Sequence, residues 1–172
     1  MLKLLQDWGF TRKGWRSGER GEYLVLFQGA LLIGFVLLPI YRPASWVIDS
    51  MNLFYLRCGI AAALGLGACL LIGKGLLDLG GNLTPLPYPK ENGQLVRSGV
   101  YSIVRHPLYS GLIFAALGWV MFQLSLSHLI AAAVLFAFFD AKAGREEAWL
   151  TEKYPEYSEY QQRVKKLIPG LY

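Results

Sequence analysis

Apolar residues in this chain gather into blocks instead of alternating or keeping to one helical face. Residues 23–40 and 51–72 each approach the roughly 20 mostly apolar residues that a bilayer-crossing helix needs. The first has no charge in its interior. The second holds only Arg57, near enough to one end for its guanidinium to reach the interface. Two further blocks, 108–124 and 128–139, are separated by Ser125-Leu126-Ser127. The pattern predicts an all-α integral membrane fold of about four transmembrane helices, with a C-terminal helical hairpin and an amphipathic tail helix. The last block is short, about 12 residues or roughly 18 Å of helix against a ~30 Å hydrocarbon core. Either the bilayer thins there, or the charged continuation 140–147 begins at membrane depth.

The length suits a single domain, 1–172. Residues 1–21 are polar, basic and aromatic (Trp8, Phe10, Trp15) and read as an interfacial segment. Residues 22–77 carry two spans, the second rich in small residues such as Gly59, Ala61, Ala68 and Gly65, which let another helix approach closely. The loop 78–107 is long for so small a membrane protein, and such loops are usually functional. It combines the stiff Asn82-Leu83-Thr84-Pro85-Leu86-Pro87 run, an Asn92-Gly93 turn and an alternating stretch, 95–104, that suggests extended chain. Residues 108–144 form the hairpin. In the tail, 145–172, Pro155 opens a helix on which Tyr157, Tyr160 and Val164 fall at helical spacing.

Composition sharpens this picture. Hydrophobic residues make up 54% of the chain and charged residues 17%, too apolar for an average soluble protein. The first block is not read as a cleaved signal peptide, because a basic segment precedes it and Pro39-Ile40-Tyr41-Arg42-Pro43 follows in place of a small-residue cleavage site. The net charge of +5 does not imply nucleic acid, because the basic residues flank the apolar blocks. Five precede the first block, three lie in 78–106 and six run from Lys142 onward, whereas the opposite side has Arg42 and, at the helix edge, Arg57. This asymmetry places both termini, the long loop and any active site in the cytoplasm. Cys58 and Cys69 lie too far apart on one helix to bridge and read as packing residues. No metal site is indicated, since His106 and His128 sit at opposite ends of one helix and no Cys/His cluster exists. P-loop, Gly-x-Gly-x-x-Gly and Gly-x-Ser-x-Gly patterns are also missing.

Counting along the hairpin produces the chief functional inference. Helix three starts about 19 residues before Leu126, and Arg145-Glu146 lies about 19 residues after it. Folded at the serines, the hairpin brings Arg105-His106 level with Arg145-Glu146-Glu147. Pro107 suits a first helical turn, so the N–H groups of helix three open toward the same mouth. Such a cluster can bind a zwitterionic ligand, or it can be a structural clasp of mutually paired charges. Spacing alone leaves both readings open.

The run Leu95-Val96-Arg97-Ser98-Gly99-Val100-Tyr101-Ser102-Ile103-Val104-Arg105-His106-Pro107-Leu108-Tyr109-Ser110-Gly111 resembles the signature of the isoprenylcysteine carboxyl methyltransferase and phospholipid methyltransferase superfamily, with Arg-His-Pro-x-Tyr-x-Gly at its core. That family follows it with a helical hairpin, a Glu-Glu pair, two tail tyrosines and Ile-Pro, matched here by Glu146-Glu147, Tyr157, Tyr160 and Ile168-Pro169. The resemblance implies an S-adenosylmethionine-dependent methyltransferase whose lipophilic or lipidated acceptor, such as an isoprenylcysteine carboxylate, enters from the bilayer among membrane lipids. It implies cofactor contacts from Gly99, Val100, Tyr101, Arg105, His106 and Pro107. Further contacts are implied from Tyr109, Gly111, Glu146, Glu147, Tyr157 and Tyr160. Arg145, Glu146 and Tyr109 would stand nearest the reaction, with Arg145 either on an acceptor carboxylate or paired with the cofactor. The competing readings are an NADPH-dependent membrane reductase of the sterol or steroid type and a non-catalytic membrane scaffold.

Overall fold

The computed structural model describes residues 8, 10, 12–46 and 50–172. The remainder of the expected interfacial segment and of the 41–50 turn lies outside the described residues. The helices are α1 (Arg12–Ser17), α2 (Glu22–Leu37), α3 (Met51–Leu79), α4 (Pro107–Gln123), α5 (Leu126–Lys153) and α6 (Tyr157–Arg163). Three-residue or four-residue 3₁₀ turns occupy Ala44–Trp46, Gly80–Asn82 and Gly99–Ser102.

The α4–α5 hairpin is the centre of the fold. Helix α3 packs along α4, α2 packs on α5, and the chain-adjacent helices α2 and α3 flank opposite sides of the hairpin. Small residues permit the closest of these contacts. A Cβ on Gly111 would stand 3.1 Å from the Ala68 carbonyl oxygen and 2.5 Å from Ile72 Cγ1, and one on Gly118 would stand 3.2 Å from the Ala61 carbonyl oxygen. The two α4 glycines are one heptad apart, so both face α3.

At the end of the bundle away from the long loop, two turns are stitched together. Arg42 donates twice to the Gln123 carbonyl, at 3.0 and 2.6 Å, and the Leu126 N–H donates to the Tyr41 carbonyl at 2.8 Å. Ser125 caps α5, its Oγ accepting from the His128 N–H, and Leu124 takes the left-handed conformation that reverses the chain.

Three sequence expectations change. The hairpin does not end at 144. Its second arm continues as one helix to Lys153, about 42 Å long, so the charged segment 140–147 lies on the same helix as the apolar block. Gly144 does not break it, because hydrogen bonding within a long packed helix outweighs a propensity cost of about 1 kcal/mol. The stretch 95–104 is not a strand; it forms the Gly99–Ser102 turn and one parallel bridge, Val104 to Lys165. The Arg105 and His106 N–H groups donate to the Lys165 and Lys166 carbonyls at 2.8 and 3.2 Å. Finally, the N-terminal segment is bound to the long loop. Thr84 Oγ1 donates to the Trp8 carbonyl at 2.9 Å, Arg20 pairs with Glu91 at 3.1 Å, and Phe10 is buried against Trp15.

Helices α3 and α5 are long and apolar enough to cross a membrane, whereas α2 and α4 are shorter apolar helices. Only 17% of the most apolar window of α3 is buried within the molecule. A core helix of a water-soluble domain would be covered. Leu66, Leu70 and Leu77 on α3, and Leu26, Phe27 and Ile33 on α2, present large apolar side chains outward instead.

Candidate active site

The site forms where the N-terminus of α4 meets the charged half of α5, roofed by the 78–106 loop and closed by the tail. Arg105 precedes α4 and reaches across to α5. Its Nε donates to Glu147 Oε1 at 2.6 Å, and its Nη1 donates to the Gln161 carbonyl at 3.0 Å and to the Val164 carbonyl. His106, just before α4, places Nε2 3.1 Å from the same Glu147 oxygen. The second Glu147 oxygen accepts from Gln161 Nε2 at 3.0 Å. Three groups from two chain segments thus converge on one buried carboxylate of α5, and the tail helix α6 is held to the hairpin through it.

Glu146 differs from its neighbour. It is about a quarter exposed, accepts from Tyr109 Oη at 2.7 Å and lies 3.8 Å from His106 Nδ1. The rings of His106, Tyr109 and Phe139 form a stack, at centroid separations of 5.4 and 5.1 Å. Lys142, one turn before Glu146, is buried, sits 5.1 Å above the Tyr109 ring and donates to Gln28 Oε1 of α2 at 2.5 Å.

These groups line a cavity of about 380 Å³, within the range of small-molecule sites. Its lining is mixed, with apolar Ile72, Leu79, Leu83, Leu108 and Leu112 beside polar Asn82, Gln94, Tyr101, Tyr157 and Tyr160. Burial and the Glu146 carboxylate push the Tyr101 phenol well above its ordinary pKa, and burial does the same to Tyr157 and Tyr160. All three remain neutral at physiological pH. Tyr160 Oη donates to the Tyr101 carbonyl, which ties α6 to the turn before α4.

A family model for phospholipid methyltransferases matches residues 56–157. The chain belongs to that family. Among curated relatives, protein-S-isoprenylcysteine O-methyltransferase B of Arabidopsis thaliana is 38% identical over 82 residues, 46% of this chain and 42% of the plant protein. Methanethiol S-methyltransferase of Pseudomonas deceptionensis is 34% identical over 165 residues, 89% of this chain and 60% of the relative. The chain therefore spans less than two thirds of either relative. A solved structure of the eukaryotic intramembrane Ras methyltransferase, an isoprenylcysteine carboxyl methyltransferase, superposes with a TM-score of 0.61 at 20% identity, covering 94% of this chain and 55% of that one. At that identity the likeness is one of fold.

Within this phospholipid methyltransferase framework, the residues singled out from the sequence separate into three groups. Tyr101, Arg105, His106, Pro107, Tyr109, Glu146, Tyr157 and Tyr160 line the cavity. Glu147 stands behind it, holding Arg105 and His106. Gly99, Val100, Gly111 and Arg145 do not line it. Gly99 has φ +61°, and the Asp78 carboxylate fills the place a side chain would take; that carboxylate accepts the Val100 N–H at 2.8 Å. The backbone group expected to face a cofactor is therefore spent on fixing the turn. Gly111 serves the α3–α4 contact. Arg145 is exposed and stacks on Trp149 at 5.0 Å, because successive helical residues point about 100° apart and three in a row cannot share one face.

Lys142, Gln28 and Tyr154 line the cavity without having been singled out as site residues. Lys142 had a usable signal: it precedes Glu146 by four residues and so shares its helical face. Tyr154 donates to the Gly93 carbonyl at 2.6 Å, and Lys153 donates to the carbonyls of Lys90 and Glu91, so the end of α5 carries the loop that roofs the cavity.

Proposed function

We propose that the chain is a membrane-embedded, S-adenosylmethionine-dependent methyltransferase acting on a lipophilic acceptor. The observation that carries this reading is the partly open Glu146 carboxylate, bonded to Tyr109 and backed by the Arg105–Glu147–His106 clasp, on the wall of a mixed polar and apolar cavity. Family membership and relatives named as methyltransferases support it.

The residues present fit this cofactor. Glu146 offers a carboxylate to ammonium or ribose hydroxyl groups, and the Tyr101, Tyr109 and Tyr157 rings suit a cationic centre. S-adenosylmethionine, when bound, supplies an electrophilic methyl group to an acceptor heteroatom. The chain's part is to hold the two reactants in register and to exclude water. The Arg105–Glu147 clasp ties the segment just before Tyr109 to α5, and the apolar lining helps keep the reaction dry. A carboxylate or thiolate acceptor needs no general base.

Lys142 favours an anionic acceptor over an amine. Arg105 has its charge matched by a direct ion pair with Glu147, whereas among the described residues Lys142 hydrogen-bonds the neutral Gln28 amide and has the Glu146 carboxylate one turn away without a direct ion pair. A buried cation facing a cavity attracts an anion and repels an ammonium group. Lys142→Met is expected to lower kcat/KM at least tenfold for a carboxylate or thiolate acceptor, while Arg145→Gln stays within about twofold. The assay follows labelled methyl transfer to a prenylated cysteine, a small thiol and an amine phospholipid. No labelled product from any of them would sink the proposal, and equal losses in both variants would remove Lys142 from it.

Four spans, α2 to α5, with both termini and the site in the cytoplasm, complete the proposal. Helices α2 and α4 cover about 24–26 Å each, so they cross by virtue of flanking residues that reach outward or a locally thin bilayer.

A further inference from the structure

We propose that a second site, at the bundle end away from the catalytic cavity, holds one anionic phospholipid, with its phosphate on Arg57. Near the start of α3, Leu53, Phe54, Leu56 and Ile60 form a groove with Met121 of α4 and with Leu124, which follows it, about 190 Å³ in volume. Leu53 and Leu56 expose much of their surface, so the groove opens toward the surroundings of the helix, not toward the bundle core.

Arg57 is the single charged residue lining this groove. It stacks against the Phe54 ring at 5.2 Å, and its Nε is shut away from solvent without a hydrogen-bond partner. None of the ion pairs among the described residues includes it. A cation on a spanning helix is costly to bury and is normally matched by a partner. Here the described residues supply an aromatic face and an apolar trough but no anion.

Position selects the occupant. Arg57 is six residues into α3, about 9 Å along the axis, and helical side chains lean toward the N-terminus, which is the end nearest the headgroups. A guanidinium there meets a phosphate with paired donors, while Leu53, Leu56 and Ile60 line a slot for an acyl chain. A lipid satisfies both halves of the groove; a soluble phosphate would leave the slot empty. The inference rests on the membrane reading above but not on the methyl-transfer chemistry, since Arg57 and the Pro107 end of α3 are about 27 Å apart along the helix.

The test uses the full chain, stripped of lipid in detergent, with thermal unfolding followed against added phosphatidylglycerol or phosphatidylcholine. Phosphatidylglycerol at about a hundredfold above its Kd is expected to raise Tm by roughly 5–10 °C, well beyond the effect of phosphatidylcholine. Arg57→Gln is expected to remove the difference between the two lipids. Leu56→Trp, at an exposed position, keeps the cation but fills the slot and is expected to remove it too. Equal responses to both lipids in the unaltered protein, or an undiminished preference in the two variants, would overturn the site. S-adenosylhomocysteine binding is expected to be unchanged in both variants, so failure here leaves the methyltransferase proposal standing.

Discussion

Glu147→Ala is expected to lower Tm by roughly 10 °C and to abolish methyl transfer. The carboxylate is held at 2.6 Å by Arg105, at 3.1 Å by His106 and at 3.0 Å by Gln161, and both members of the ion pair have side chains about one-tenth exposed. Removing it strands the Arg105 guanidinium against two backbone carbonyls in a nearly dry place. Breaking a buried pair from one side costs about 3–5 kcal/mol, and each kcal/mol shifts Tm by about 2–4 °C in a chain of this size. The same substitution frees α6, whose Tyr157 and Tyr160 line the cavity. Glu147→Gln keeps the shape and one acceptor oxygen, so its loss of stability should be smaller. An unaltered Tm for Glu147→Ala would remove the clasp from the fold's support.

The second large effect belongs to Glu146, and it has the opposite character. Glu146→Gln is expected to weaken binding of S-adenosylmethionine by about 30-fold or more while leaving the Tm of the ligand-free protein within a few degrees. Its carboxylate is bonded to one neutral phenol and is partly open to the cavity, so little of the fold depends on its charge. A ligand cation or hydroxyl meeting it loses a charge-assisted hydrogen bond of about 2–3 kcal/mol, and each 1.4 kcal/mol is tenfold. Paired titrations of the two glutamate variants separate the roles. A drop in stability without a drop in affinity for Glu146→Gln would assign Glu146 to the clasp as well.

The hairpin was legible in the sequence because helical rise is fixed. Counting equal distances from Leu126 brings His106 and Glu147 together, and the structure places them in contact. Helix α5 was less legible. Its apolar signal stops at Phe139, and nothing in the following charges shows which partners receive them: Lys166 pairs with Asp140 at 2.6 Å and Lys142 donates to Gln28. Gln28 itself could not be linked to a partner from sequence, since a lone polar residue in an apolar block carries no address. Arg145 was misplaced by treating Arg145-Glu146-Glu147 as one cluster, although a helix turns each residue to a different face. Gly99 and Val100 stand off the cavity for another reason. A motif glycine can mark a close approach by protein as readily as by ligand, and here the approaching group is Asp78.

The most direct measurement of the central claim is calorimetric titration of S-adenosylhomocysteine into the detergent-purified chain, with NADPH titrated in parallel. One saturable site for S-adenosylhomocysteine at sub-millimolar concentration, weakened in Glu146→Gln, and no NADPH binding is the expected result. Absence of S-adenosylhomocysteine binding up to about 1 mM, which corresponds to less than about 4 kcal/mol of affinity, would contradict it, as would saturable binding of NADPH in its place.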